Sequence, residues 1–175
     1  NATLNAPLSV ANSAAIIGHA QSHRAWIRPG IMLYGANPLG EAAAPRLQAV
    51  MSLRSKLLAV RSISAGEWVG YNQTWQSSRP TRIGTIAAGY GDGYPRHARP
   101  GTPVLINGRR VPLVGRVSMD MITVDLGPGA SDRPSDPVTL WGEGLPVNEI
   151  AACADTISYQ LLTGVSARVT VHYHE

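Results

Sequence analysis

From Leu47 to Tyr173, short runs of β-branched and aliphatic residues recur, each bounded by Gly, Pro or Asn. That rhythm of strand and turn points to an antiparallel sandwich or barrel. Its sharpest instance is Pro103-Val104-Leu105-Ile106, then Asn107-Gly108, then Arg109 to Val114. Asn-Gly supplies the positive φ angles that a two-residue hairpin turn demands, so these two runs are expected to pair directly. Arg82 to Ala88, Arg116 to Leu126 and Asp136 to Trp141 read as further strands. Val165, Ala167, Val169, Val171 and Tyr173 alternate with Ser166, Arg168, Thr170 and His172, which predicts a last strand with one buried and one wet face. A helical interruption is expected before it, with Asn148 capping 149–154 and Asp155 capping 156–163, until Gly164 ends the run.

The N-terminal stretch follows a different pattern. Leu8-Ser9-Val10-Ala11 is strand-like, Ser13 to about His23 is an alanine-rich helical stretch, and Ala25-Trp26-Ile27 is a second apolar run. This is a β-α-β unit, which normally joins parallel strands covered on both faces. Two strands cannot make such a sheet, so the segment is expected to be the end of something larger. Gly40 to Pro45 reads as a linker. The expected division is therefore 1–45 and 46–175.

Composition narrows the function classes. With 175 residues, 44% of them hydrophobic, the chain is globular and long enough for one domain or two small ones. Charged residues make up 15%, and no apolar run approaches the roughly 20 residues of a membrane-spanning helix, so no membrane span is expected. Asn1-Ala2-Thr3-Leu4-Asn5 lacks the basic start and apolar stretch of a secretion signal. Cys153 is the only cysteine, which excludes an internal disulfide and suits a reducing, cytoplasmic compartment. A net charge of +4 invites a nucleic-acid reading, yet the arginines are scattered from Arg24 to Arg168, and attraction to small anions accounts for the surplus equally well. Lys56 is the only lysine among 15 basic residues, so chemistry requiring a lysine amine has a single candidate.

Ser13 and Arg28 flank the N-terminal helix, and Gly30-Ile31 follows Arg28 after a proline. A hydroxyl, a guanidinium and amide N–H groups beside a glycine suit an anion such as phosphate, while spacing alone favours Ser13 as a helix cap and Arg28 as a surface ion-pair partner. Gly89-Tyr90-Gly91-Asp92-Gly93-Tyr94 resembles a phosphate loop but matches neither nucleotide-binding glycine motif. A turn needs no aromatic ring for its own geometry, so its two tyrosines suggest a site-lining role. Tyr71 is a possible general acid/base or a packing residue. Asp120, between Met119 and Met121, is an isolated carboxylate that asks for a partner or water. His19 with His23, and His172 with His174, have spacings that can hold a metal, but neither pair has an obvious third ligand, and no metal site is expected.

Taken together, Ala11-Asn12-Ser13-Ala14-Ala15, Ile27-Arg28-Pro29-Gly30-Ile31-Met32-Leu33-Tyr34-Gly35, Gly70-Tyr71, Ala87-Ala88-Gly89-Tyr90-Gly91-Asp92-Gly93-Tyr94-Pro95-Arg96, Val114-Gly115-Arg116-Val117-Ser118-Met119-Asp120 and Ile157-Ser158-Tyr159 resemble the alanine racemases. These are pyridoxal-phosphate enzymes that interconvert L- and D-alanine. The resemblance implies a mainly β C-terminal domain preceded by the last β/α elements of a (β/α)₈ barrel. It also implies that the covalent cofactor lysine lies outside this chain, that Lys56 is a surface residue, and that the chain alone is inactive. Ser13, the Gly30 and Ile31 backbone, and Tyr159 resemble the residues that hold the cofactor phosphate, and Arg28 the arginine facing its pyridine nitrogen. Tyr71 resembles the catalytic tyrosine, one of two bases acting on opposite faces of the substrate. Tyr90 resembles an entrance-gate tyrosine, Met119 the residue whose backbone N–H binds the substrate carboxylate, and Asp120 falls in the same entry region. The family is a homodimer in which Tyr71, Tyr90 and Met119 would complete the site built by the other subunit's Ser13, Arg28 and Tyr159. One departure is Ser9, where some members carry a histidine that touches the site arginine. A racemase of broader substrate range, such as a lysine racemase, and a non-catalytic assembly module are the competing readings.

Overall fold

A computed structural model describes residues 6–40 and 42–174. The chain forms two compact units, Asn1–Met51 and Ser52–Glu175.

In the first unit, β1 (Ser9–Asn12) runs parallel to β2 (Trp26–Arg28), joined through α1 (Ser13–Gly18) and a 3₁₀ turn at Ala20–Ser22. The helix is shorter than the alanine-rich stretch suggested, because His19 leaves the helical region at φ −140°. Its cap is Asn12, whose side chain accepts the Ala15 N–H at 3.0 Å, and Ser13 is the first helical residue. The two-stranded sheet leaves Leu8, Val10, Trp26 and Ile27 exposed. Uncovered apolar strands of this kind agree with a sheet whose neighbours lie elsewhere.

The second unit is a closed antiparallel barrel in the order β10-β3-β6-β9-β8-β7. Its strands are β3 (Leu53–Ile63), β6 (Thr81–Ile86), β7 (Pro103–Ile106), β8 (Arg109–Val114), β9 (Ile122–Asp125) and β10 (Pro137–Trp141), and a small ribbon of β4 (Trp68–Val69) and β5 (Trp75–Gln76) lies between β3 and β6 in the chain. Closure depends on β3, whose first half pairs with β10 and whose second half pairs with β6, with an irregularity between Leu57 and Ala59. Leu57, Ile86, Ile106, Leu113, Ile122, Val124 and Leu140 fill the interior, while Ile83, on the other face of β6, packs with Ile63, Val69 and Val114. Each such side chain contributes about 1.5–3 kcal/mol relative to exposure. The Asn107-Gly108 hairpin forms as expected, with φ of 50° and 77° and Ile106 paired to Arg109.

Three expectations are corrected. No strand spans 165–173: Val171 and Tyr173 are exposed, and the Ser166 N–H instead donates to the Asp92 carbonyl. A closed barrel has no free edge on which another strand could pair. The strand expected from Arg116 starts only at Ile122, because the Ser118 hydroxyl closes a local turn by accepting the Met121 N–H at 3.1 Å and donating to the Met121 carbonyl at 2.7 Å. Neither proposed helix cap holds. Helix α2 (Val147–Cys153) follows Pro146, so Asn148 lies inside it, and α3 (Ser158–Thr163) begins after Ile157. Asp155, at φ 52°, follows the end of α2 in the left-handed region and donates its N–H to the Ala152 carbonyl.

Candidate active site

In the first unit Ser13 is not the helix cap: it is buried, and its Oγ accepts the Gly30 N–H at 2.9 Å and the Met32 N–H at 3.4 Å. Two donors thus occupy the oxygen's acceptor positions, and the hydroxyl proton remains available to an anion. Gly30 leaves the spot open, since a Cβ there would meet nothing nearer than Ser13 Oγ at 3.9 Å. Ile31 opens a 3₁₀ turn (Ile31–Tyr34) with its N–H ahead of any partner within the turn. Arg28 is paired in register with Asn12, which brings it alongside Ser13, and its Nη2 reaches the Val10 carbonyl at 3.5 Å. Ser13, Arg28, Gly30 and Ile31 are therefore gathered in one place by the parallel strand pair.

In the barrel unit, Tyr71, Tyr90 and Met119 gather along the loop between β8 and β9. Tyr71 opens a 3₁₀ turn (Tyr71–Gln73) after β4, and Gly70 before it packs so closely on this loop that an added Cβ would lie 3.0 Å from the Arg116 nitrogen. Tyr90 opens another 3₁₀ turn (Tyr90–Asp92). Its N–H donates to the Ser118 carbonyl at 3.0 Å, and the Gly91 N–H donates to the Met119 carbonyl at 2.8 Å. All three side chains reach solvent, at 70% exposure for Tyr71, 39% for Tyr90 and 52% for Met119. Among the described residues Tyr71 makes no side-chain hydrogen bond within its unit. Tyr159 lies on α3, half-exposed.

Asp120 has the partner its setting asked for: its Oδ1 receives Arg168 Nη2 at 2.7 Å, while Arg168 Nε donates to Asp92 Oδ1, also at 2.7 Å. The Arg168 guanidinium holds the Asp92 carboxyl below the usual carboxylate range, against a smaller opposing effect of burial. Tyr94 does not line the site. It is 1% exposed, stacked on Trp141 with ring centroids 6.2 Å apart, and burial pushes its phenol well above the ordinary range. Lys56 lies exposed on β3. Among the described residues no group of His, Cys, Asp or Glu has the arrangement of a metal site.

Two arginines were not singled out from the sequence. Arg96 and Arg116, with Thr74, Ala98, Pro100 and Gly115, line a cavity of about 290 Å³, and the Arg96 guanidinium carbon sits 5.7 Å from the Tyr90 ring centroid. Their pairing around one cavity depends on long-range contacts, so spacing along the chain carried no signal of it.

One unit gathers a hydroxyl, a guanidinium and amide N–H groups around an open spot, and the β-barrel unit exposes a phenol beside two loops. Residues 50–173 match the alanine racemase C-terminal domain and residues 2–38 the alanine racemase N-terminal domain. The chain belongs to the alanine racemase family. It is 55% identical over 172 residues to the alanine racemase of Chromohalobacter salexigens, covering 97% of this chain and 47% of that protein. The biosynthetic alanine racemase of Pseudomonas aeruginosa superposes with a TM-score of 0.92 at 51% identity, over 95% of this chain and 47% of that one. The Bartonella henselae alanine racemase with covalently bound pyridoxal phosphate superposes with a TM-score of 0.84 at 35% identity, over 93% of this chain and 45% of that one. The chain thus spans about half the length of the relatives it matches.

Proposed function

We propose that this chain supplies part of a pyridoxal-phosphate-dependent alanine racemase, interconverting L- and D-alanine as a homodimer in the cytoplasm. The observation that carries the reading is Tyr71: a phenol without a side-chain hydrogen bond, 70% exposed, beside the Met119 and Tyr90 loops. Nothing inside its own unit uses it. Racemisation needs a proton removed from one face of the α-carbon and another delivered to the opposite face, so two acid/base groups are the direct solution. Tyr71 is one of them, acting on the other subunit's bound amino acid.

The cradle fits the cofactor's phosphate, because the Ser13 hydroxyl keeps its proton to donate and Gly30 brings the backbone close without a Cβ in the way. Ser13 and the Gly30 and Ile31 backbone hold that phosphate, with Tyr159 as the further contact the family resemblance assigns. Bound pyridoxal phosphate supplies an electron-withdrawing ring that acidifies the α-carbon of the attached amino acid. Arg28, which resembles the arginine at the cofactor's pyridine nitrogen, would donate a hydrogen bond there without surrendering its proton, which would limit the ring's electron withdrawal. The Met119 N–H orients the substrate carboxylate, and Tyr90 narrows the entrance. Arg96 and Arg116 give the adjoining cavity a cationic lining that attracts carboxylates. The family resemblance puts the covalent lysine in sequence outside this chain, and Lys56 is an exposed residue on a barrel strand.

The test is conversion of L-alanine to D-alanine by the full-length enzyme carrying this sequence, reconstituted with pyridoxal phosphate and assayed against lysine and serine. Preferential turnover of alanine supports the reading. Faster racemisation of lysine reassigns the substrate, and no racemisation of any amino acid refutes the function.

A further inference from the structure

The loops bearing Tyr90 and Met119 are not rigid by virtue of regular structure. One is a three-residue turn, and the other is an irregular stretch between two strands. What joins them, apart from two backbone hydrogen bonds, is Arg168, a residue in the segment expected to be a strand. Its Nε donates to Asp92 Oδ1 in the Tyr90 turn, and its Nη2 donates to Asp120 Oδ1 in the Met119 loop, both at 2.7 Å. The guanidinium lies against Gly91, where an added Cβ would fall 2.9 Å from its central carbon.

Each carboxylate is tied back into its own loop or its neighbour. Asp92 Oδ2 also accepts the Gly89 N–H at 2.8 Å, and the Asp92 carbonyl accepts the Ser166 N–H at 3.2 Å. Asp120 follows Met119 directly. A planar fork with donors in fixed directions can hold two carboxylates at a set separation, which a point charge cannot do.

We infer that Arg168 is a positioning residue for the racemase reaction, clamping the Tyr90 turn to the Met119 loop so that the substrate-carboxylate amide is held ready before substrate arrives. This rests on the function proposed above. Arg168 touches neither substrate nor cofactor and acts through Asp92 and Asp120. Without the fork, the loops sample arrangements in which the Met119 N–H is misplaced, and only the competent fraction binds. Bound substrate restores the arrangement, so the loss falls on KM more than on kcat.

The test compares Arg168→Met and Arg168→Lys in the full-length holoenzyme with Arg54→Met, which removes an exposed ion pair to Glu143 elsewhere on the barrel. Arg168→Met is expected to raise the KM for alanine about tenfold with kcat within about threefold. Arg168→Lys, able to reach one carboxylate at a time, should fall between it and the wild type. Arg54→Met should leave KM unchanged. Equal loss in kcat and KM, an unchanged KM, or the same rise in Arg54→Met would overturn the assignment. Amide hydrogen exchange decides the clamp independently of activity. The Tyr90 and Gly91 N–H groups, bonded to Ser118 and Met119, should exchange about tenfold or more faster in Arg168→Met, and unchanged protection overturns the clamp. Absence of racemisation in the wild type would instead refute the proposed function.

Discussion

Replacing Gly89 by alanine tests the coupling of the two site loops most severely. Gly89 has φ −148° and ψ −167°, which any residue adopts, so the substitution carries no conformational strain of its own. The obstacle is contact. A Cβ would lie 2.3 Å from the Met119 carbonyl oxygen and 2.4 Å from the Ser118 oxygen, both backbone atoms with no side-chain freedom to yield. To reach even 3.0 Å from the Met119 oxygen, the chains must separate by about 0.7 Å. That movement stretches the Tyr90-to-Ser118 and Gly91-to-Met119 hydrogen bonds, now 3.0 and 2.8 Å, beyond good geometry. At about 0.5–1.5 kcal/mol each, their loss destabilises the unit by about 1–3 kcal/mol. Because the displaced segment carries Met119 and Tyr90, alanine turnover by the full-length enzyme should fall at least tenfold, about 1.4 kcal/mol in kcat/KM. Denaturant unfolding and steady-state racemisation measure the two effects. Wild-type stability together with wild-type kcat/KM would refute the close packing of these loops and the argument built on it.

Two further substitutions probe the core and the cradle. Tyr94→Phe removes a buried hydroxyl that lacks a hydrogen-bond partner, so stability at pH 7 should be unchanged or rise by up to about 1 kcal/mol. Because burial raises the folded-state pKa of Tyr94 above its ordinary value of 10.0, its contribution is intact below pH 10 and is lost as pH rises. Wild-type stability should therefore fall more steeply than that of Tyr94→Phe between about pH 10 and 12, by about 1.4 kcal/mol per pH unit, with parallel curves as the contrary result. Ser13→Ala removes both the acceptor for two N–H groups and the donor offered to the phosphate, and pyridoxal phosphate affinity should fall about tenfold or more by spectroscopic titration. Unchanged affinity would remove Ser13 from the cofactor site.

The parts of the fold legible in the sequence were those determined by local chemistry. Asn107-Gly108 had to turn because its φ angles suit little else, and Gly164 stands where α3 stops. The 165–173 segment misled because alternation shows only that a strand could have two different faces. Whether it pairs depends on an open edge, and β10 already joins β3 to β7 around the barrel. The same error concealed Arg168, which counted as one more residue on a wet face. For Ser13, the residue type was informative but its role was not, since a cap and a buried acceptor are distinguished only by where Gly30 and Met32 lie. Tyr94 shows the converse: a tyrosine in a glycine-rich turn drew attention as a site residue, yet its ring stacks on Trp141, 47 positions further along the chain.

The account turns on Tyr71 as the acid/base on one face of the α-carbon. Full-length Tyr71→Phe holoenzyme, incubated in D₂O with L-alanine or with D-alanine and followed by NMR, tests it directly. The prediction is retained cofactor absorbance, racemisation slowed about 10²–10⁴-fold, and α-deuterium entering only one enantiomer, through the base on the other face. Wild-type racemisation, or rapid exchange into both enantiomers, would contradict it.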